Sequence, residues 1–128
     1  MAQKILLTGG AGFIGSHTFV ELTKAGHHVV ILDNFSNADR SVLDRLEVIS
    51  GEKAVCVDGD VLDETLLTQL FANHRFDAVI HFAALKAVGE STEKPLDYLT
   101  TNISGLYALL NVMKAAGVFR LVFSSSAT

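Results

Sequence analysis

The chain has one cysteine, one proline and no tryptophan, and no apolar run approaches the roughly 20 residues needed to cross a bilayer. A single thiol, Cys56, excludes an intrachain disulfide; set in the apolar run 54–57, it reads as a small buried residue and suits a reducing cytoplasm. The amino terminus places one Lys before the short apolar stretch Ile5, Leu6, Leu7, too little for the apolar segment of a signal sequence. No stretch rich in Pro, Gly and Ser interrupts the chain, so no internal linker is expected. Ten Lys and Arg against fourteen Asp and Glu give a net charge of −4, without a basic block to track a phosphate backbone. Neither nucleic acid nor membrane is an expected partner, and the expected location is cytoplasmic. The histidines, His17, His27, His28, His74 and His81, include no pair at the helical i, i+4 spacing of a zinc site, so no metal is expected. His81 reads most simply as a strand-end packing residue.

What is present is apolar and regularly spaced. With 49% hydrophobic and 19% charged residues, the 128-residue chain has the size and composition of one globular domain, residues 1–128. Short apolar runs at 4–8, 28–33, 54–58, 78–82 and 121–124 predict strands. Each is too uniformly apolar for a half-exposed antiparallel strand, which favours a parallel sheet covered on both faces. Between them, 13–25, 41–49 and 63–73 have helical spacing, and Pro95 can start a long helix that ends before Gly117. Ile14, Phe19, Val20 and Leu22 supply an apolar face to the first helix, which Gly26 stops; Leu106, Leu109, Leu110 and Met113 are expected to cover the sheet from the last. The fold class is therefore α/β: a Rossmann-like, doubly wound parallel sheet of five strands in the order 3-2-1-4-5.

Between the first strand and the first helix runs Thr8-Gly9-Gly10-Ala11-Gly12-Phe13-Ile14-Gly15. Gly9 permits the tight turn, Gly12 lets the backbone approach a pyrophosphate, and Gly15 lets helix pack close to strand. The helix terminus offers unpaired N–H groups and a partial positive charge to the anion. Asp33 ends the second strand 18 positions after Gly15, near the offset at which an acid accepts hydrogen bonds from the adenosine ribose. A carboxylate there repels a 2′-phosphate, and Asn34 follows with no adjacent Arg, so NAD is favoured over NADP; Arg40 is the nearest cation. Asp60, after the third strand, has two readings: acceptor for the adenine amino group with the Val61 backbone beside it, or N-cap of the next helix.

Three stretches act together: Thr8 to Gly15, then His81-Phe82-Ala83-Ala84-Leu85-Lys86-Ala87-Val88-Gly89-Glu90-Ser91, and finally Phe123-Ser124-Ser125-Ser126-Ala127-Thr128. Over the whole chain these resemble the N-terminal part of the UDP-glucose 4-epimerases, a family of extended short-chain dehydrogenases/reductases. The glycine turn is common to that superfamily, whereas residues 82–91 look specific to the epimerase branch and unlike the related dehydratases and decarboxylases. The resemblance implies NAD contacts from Gly9, Gly12, Phe13, Ile14, Gly15, Asp33, Asn34, Phe35, Ser36, Asn37, Ala38, Asp60, Val61, Phe82, Ala83, Ala84, Leu85, Lys86 and Asn102. Ala84 stands where some members have Gly, a small change that still admits the cofactor. Lys86, beyond the fourth strand, can bond ribose hydroxyls or a nicotinamide carbonyl, or be a solvated surface lysine. Ser126 is the catalytic candidate by resemblance; on chemistry alone a serine run at a strand end is more often a turn.

The family's reaction, interconversion of UDP-glucose and UDP-galactose in galactose metabolism through a transient 4-keto sugar, also uses a Tyr-x-x-x-Lys pair. Tyr98 and Tyr107 are followed four residues later by Asn102 and Asn111, and both precede Ser126, so the pair is missing. The expectation is a chain truncated before the remaining strands and the C-terminal substrate domain, an isomerase by resemblance but inactive alone. Its implied partners are a UDP-sugar in the complete enzyme and a second copy joined through the long helix after Pro95. Two rivals remain: another NAD-dependent nucleotide-sugar enzyme, such as a dehydratase or decarboxylase, and a non-catalytic NAD-binding module. The apolar strand at 121–124 is expected to form a sheet edge that invites self-association.

Overall fold

In the computed structural model, which describes residues 3–9, 13–33, 41–51, 55–82 and 104–123, the apolar runs lie side by side as β1 (Lys4–Thr8), β2 (His28–Asp33), β3 (Val55–Asp58), β4 (Ala78–His81) and β5 (Leu121–Phe123). All pairings are parallel and the order is 3-2-1-4-5, as the sequence leads one to expect. The described strands end slightly inside the expected runs: Phe82 lies just beyond β4, while Ala54 and Ser124 fall outside the described residues.

Uniformly apolar strands become intelligible once both faces are covered. On β1, Leu6 packs with one cluster and Leu7 with the other; on β2, Val30 and Leu32 alternate with Val29 and Ile31 in the same way. Helices α1 (Phe13–Lys24) and α2 (Ser41–Ser50) cover one face through Phe19 and Leu46, with Val20, Leu22, Val42 and Leu43 packed against them. Helices α3 (Glu64–Asn73) and α4 (Gly105–Ala116) cover the other through Leu67, Leu70, Leu109 and Met113.

Helix ends follow local chemistry. After α1, Gly26 has a φ of +90°, and the N–H groups of Gly26 and His27 donate to the carbonyls of Thr23 and Leu22. Only a residue tolerant of the left-handed region makes this paired closure cheaply, which is why the glycine stops the helix. The same pair of bonds closes α4, from Gly117 and Val118 to Lys114 and Met113. At α3, Asp63 is the N-cap: its Oδ1 accepts from the Leu66 N–H at 3.1 Å.

The apolar face of α4 needs correction. Leu109 and Met113 are buried, but their neighbours on the stripe are Gly105, Ala108 and Val112, whereas Leu110 is 43% exposed. At about 100° per residue, Leu110 stands a quarter turn past the stripe that Leu109 occupies. Leu106 is half-buried, and the start of the long helix expected from Pro95 lies outside the described residues.

Below the sheet, after α3, the His74 ring stacks on Phe76 at 5.5 Å between centroids, and its Nδ1 is buried with no hydrogen-bond partner among the described residues. Burial, then the charge of Lys4, hold the imidazole below its ordinary value of 6.5. The unfolded chain therefore takes up this proton first. Stability should be complete above pH 6.5 and decline as pH falls from there through the lower folded value. Thermal melts at stepped pH test this: His74→Gln should flatten that part of the profile, and an identical acid slope in both proteins would refute the assignment.

Candidate functional site

The carboxyl ends of the strands are tied into one edge by hydrogen bonds that run one step past the strands themselves. Gly9 N–H donates to the Leu32 carbonyl at 2.7 Å, Gly59 N–H to the Asp33 carbonyl at 3.1 Å, and Phe82 N–H to the Thr8 carbonyl at 2.8 Å. The residues after β1, β3 and β4 therefore all leave the sheet from one level. In an open α/β sheet that edge is where ligands bind, with the crevice at the point where the strand order reverses, here between β1 and β4.

Gly9 has a φ of +71°, the left-handed turn expected of the first motif glycine. Its bond to Leu32 places it directly beside Asp33 on β2. Asp33 is buried at 8% exposure and falls on the sheet face shared with Val29 and Ile31, the face that α1 covers. Gly15 is buried within the first turns of α1, as close helix packing requires. That helix has no acidic residue in its first turn and carries Lys24 in its last, so no carboxylate of its own first turn offsets the amino-terminal partial charge. A left-handed glycine at the end of β1, a helix that follows it in sequence and a carboxylate on the neighbouring strand suit the pyrophosphate and ribose of a dinucleotide.

Asp60 and Val61 resolve into distinct parts. Asp60 does not cap α3; that is Asp63, and Asp60 instead accepts the Leu62 N–H on Oδ1 at 3.0 Å in a tight local turn. The Val61 side chain is in the core, so close to Gly105 that a Cβ there would stand 2.7 Å from Val61 Cγ2. Only the Val61 backbone is left to face a ligand. Phe82 is half-buried, its ring packed against the α1 side of the sheet.

Of the other expected contacts, Gly12, residues 34–38 and 83–86, Asn102 and the catalytic candidate Ser126 lie outside the described residues, as do the side chains of Phe13 and Ile14. His81, which the sequence presents as a strand-end packing residue, is buried at the end of β4 and in addition pairs its Nδ1 with the Thr8 hydroxyl at 2.6 Å, with both residues within 1% of complete burial. The available signal was positional, a hydroxyl and an imidazole in register at the ends of adjacent strands.

A hollow of about 340 Å³ opens at the opposite end of the sheet, among Lys4, Thr23, His28, Val55 and His74. It lies at the amino ends of the strands, away from the glycine turn. Among the described residues, no group of three or more His, Cys, Asp or Glu is placed to hold a metal ion, and no helix is long and apolar enough to cross a membrane.

Comparison with known proteins gives the same picture. A family model described as the NAD dependent epimerase/dehydratase family matches residues 5–128. A UDP-glucose 4-epimerase of Neisseria meningitidis serogroup C is 54% identical over 126 residues, covering 98% of this chain and 37% of its own length. A crystal structure of UDP-glucose-4-epimerase from Stenotrophomonas maltophila, with bound NAD and formylated UDP-arabinopyranose, superposes with a TM-score of 0.94 at 53% identity, covering 98% of this chain and 37% of that one. The Bifidobacterium longum enzyme in complex with NAD+ and UDP has a TM-score of 0.94 at 48% identity, with 97% and 37% covered. The chain thus spans a little over a third of the length of these relatives.

Proposed function

This chain belongs to the NAD dependent epimerase/dehydratase family, and on that premise we propose that it is the NAD-binding portion of a UDP-glucose 4-epimerase. The observation that carries the reading is the junction of Gly9 with β2: one hydrogen bond, to the Leu32 carbonyl, sets the glycine turn beside the strand end that carries Asp33. In this reading Gly9, Gly12 and Gly15 admit the pyrophosphate to the helix terminus, and Asp33 accepts from the adenosine ribose hydroxyls. Asp60 and the Val61 backbone flank the adenine, residues 34–38 and 82–86 with Asn102 complete the cofactor contacts, and Ser126 stands beside the reacting sugar hydroxyl. Bound there, NAD supplies a hydride acceptor, and the chain's own groups bind and orient it.

The whole enzyme's substrates in this proposal are UDP-glucose and UDP-galactose, and residues 1–128 form part of its dinucleotide-binding domain. A homodimer through α4 is part of the same reading, supported by Tyr107 at 67% and Leu110 at 43% exposure on one side of that helix. The lone Cys56 suits a cytoplasmic enzyme of galactose metabolism.

Calorimetric titration tests the cofactor assignment. NAD is expected to bind at least about tenfold more tightly than NADP, because a 2′-phosphate brought to Asp33 sets like charges together. Tighter binding of NADP would overturn it. For the activity, any longer polypeptide carrying this sequence should convert UDP-galactose to UDP-glucose, and a NAD-loaded protein unable to do so would refute the epimerase reading.

A further inference from the structure

Thr8 and His81 are opposite one another in the register of β1 and β4, the strands that flank the switch point. Each is the last residue of its strand, so Gly9 and Phe82 follow them directly. The Thr8 hydroxyl oxygen receives the Phe82 N–H at 3.1 Å, an N–H that the Thr8 carbonyl also accepts at 2.8 Å, and it lies 2.6 Å from His81 Nδ1. Residue 8 thus holds both the ring and the following amide of β4.

The proton positions follow by elimination. Thr8 is sealed from water at 0% exposure, and its hydroxyl has two partners, the Phe82 N–H and His81 Nδ1. The first is a donor, so Nδ1 is the only acceptor there for the hydroxyl proton. A buried hydroxyl that donates to nothing is costly. Nδ1 therefore accepts, and the ring carries its proton on Nε2.

We propose that the Thr8–His81 hydrogen bond is a positioning device for the dinucleotide: it fixes His81 as the Nε2–H tautomer and sets the separation of the two segments that leave β1 and β4. Those segments begin at Gly9 and Phe82, and the inference rests on the reading above that both contact NAD. A fixed gap between them lets the cofactor bind without first ordering either side. Thr8 and His81 act through the segments they hold and are positioning residues.

The test uses the unaltered chain with Thr8→Val and Thr8→Ser. Valine keeps the shape and removes the hydroxyl; serine keeps the hydroxyl. Thr8→Val should bind NAD roughly tenfold more weakly, the size of one lost hydrogen bond whose ordering of the two segments the cofactor must then supply on binding. Thr8→Ser should bind within about twofold of the unaltered chain. If Thr8→Val is folded by circular dichroism and binds NAD as well as the unaltered chain, the pair is structural only and the proposal falls. Nitrogen NMR of the histidine rings gives a second readout that needs no variant. His81 should show an unprotonated Nδ1 and a protonated Nε2 with and without NAD, and a protonated Nδ1 would overturn the proposal. An unaltered chain that fails to bind NAD sinks the cofactor reading and this inference with it. Binding by the unaltered chain and Thr8→Val alike sinks this inference alone.

Discussion

Asp33→Ser should lower NAD affinity roughly 10- to 100-fold while leaving the chain folded, and should narrow or reverse the preference for NAD over NADP. The magnitude is that of hydrogen bonds to a charged acceptor, about 1.5–3 kcal/mol. Specificity changes because a carboxylate that accepts from ribose hydroxyls, the role proposed for Asp33, repels a phosphate in their place. Folding should survive because the ladder at this point is backbone: the Asp33 carbonyl still receives the Gly59 N–H, and the Leu32 carbonyl still receives Gly9. Titrations of both proteins with both dinucleotides decide the matter. An unchanged ratio of the two affinities would show that Asp33 does not face the ribose.

The largest expected loss of stability comes from Leu109→Ala. Leu109 is completely buried in the cluster that joins α4 to Leu6, Val30 and Val79 of the sheet and to Leu67 of α3. Removing its branch takes away transfer energy and leaves a cavity that the sheet cannot collapse to fill, a cost of about 2–5 kcal/mol. Leu110→Ala, at the adjacent but 43% exposed position, should cost below about 1 kcal/mol. Denaturant unfolding of the pair is also a direct test of which face α4 presents to the sheet, since comparable losses would contradict the burial described.

Strand order and strand identity were legible because parallel strands carry an unmistakable mark. A run such as Ile5, Leu6, Leu7, apolar at both parities of the pleat, has no place in a sheet with a wet face. Helix stops were legible at Gly26 and Gly117, where one residue type satisfies a specific backbone demand. Leu110 reads as a sheet-covering position because several leucines surround the stripe of α4, and residue type alone does not say which are inward. Small residues on the stripe, Gly105 and Ala108, gave the better clue: they let α4 approach the core closely. Asp60 has two readings in sequence because an aspartate before a helix is chemically suited to both, and only the fold separates them: the cap lies three residues on, at Asp63. The Thr8–His81 bond was hidden for a different reason, since the partners are 73 residues apart and meet only when β4 is placed beside β1.

The alternation of Leu6 with Leu7, and of Val30 and Leu32 with Val29 and Ile31, also divides the interior into two compartments separated by the sheet backbone. Side chains on one side do not fit against those on the other, so a volume change beneath α1 has no direct steric route to the layer beneath α4. Each half can then drift through its own sequence of compensating substitutions without waiting for the other. The edge at the carboxyl ends of the strands, where chain from both faces of the sheet leaves it, is the place at which the two histories must remain compatible.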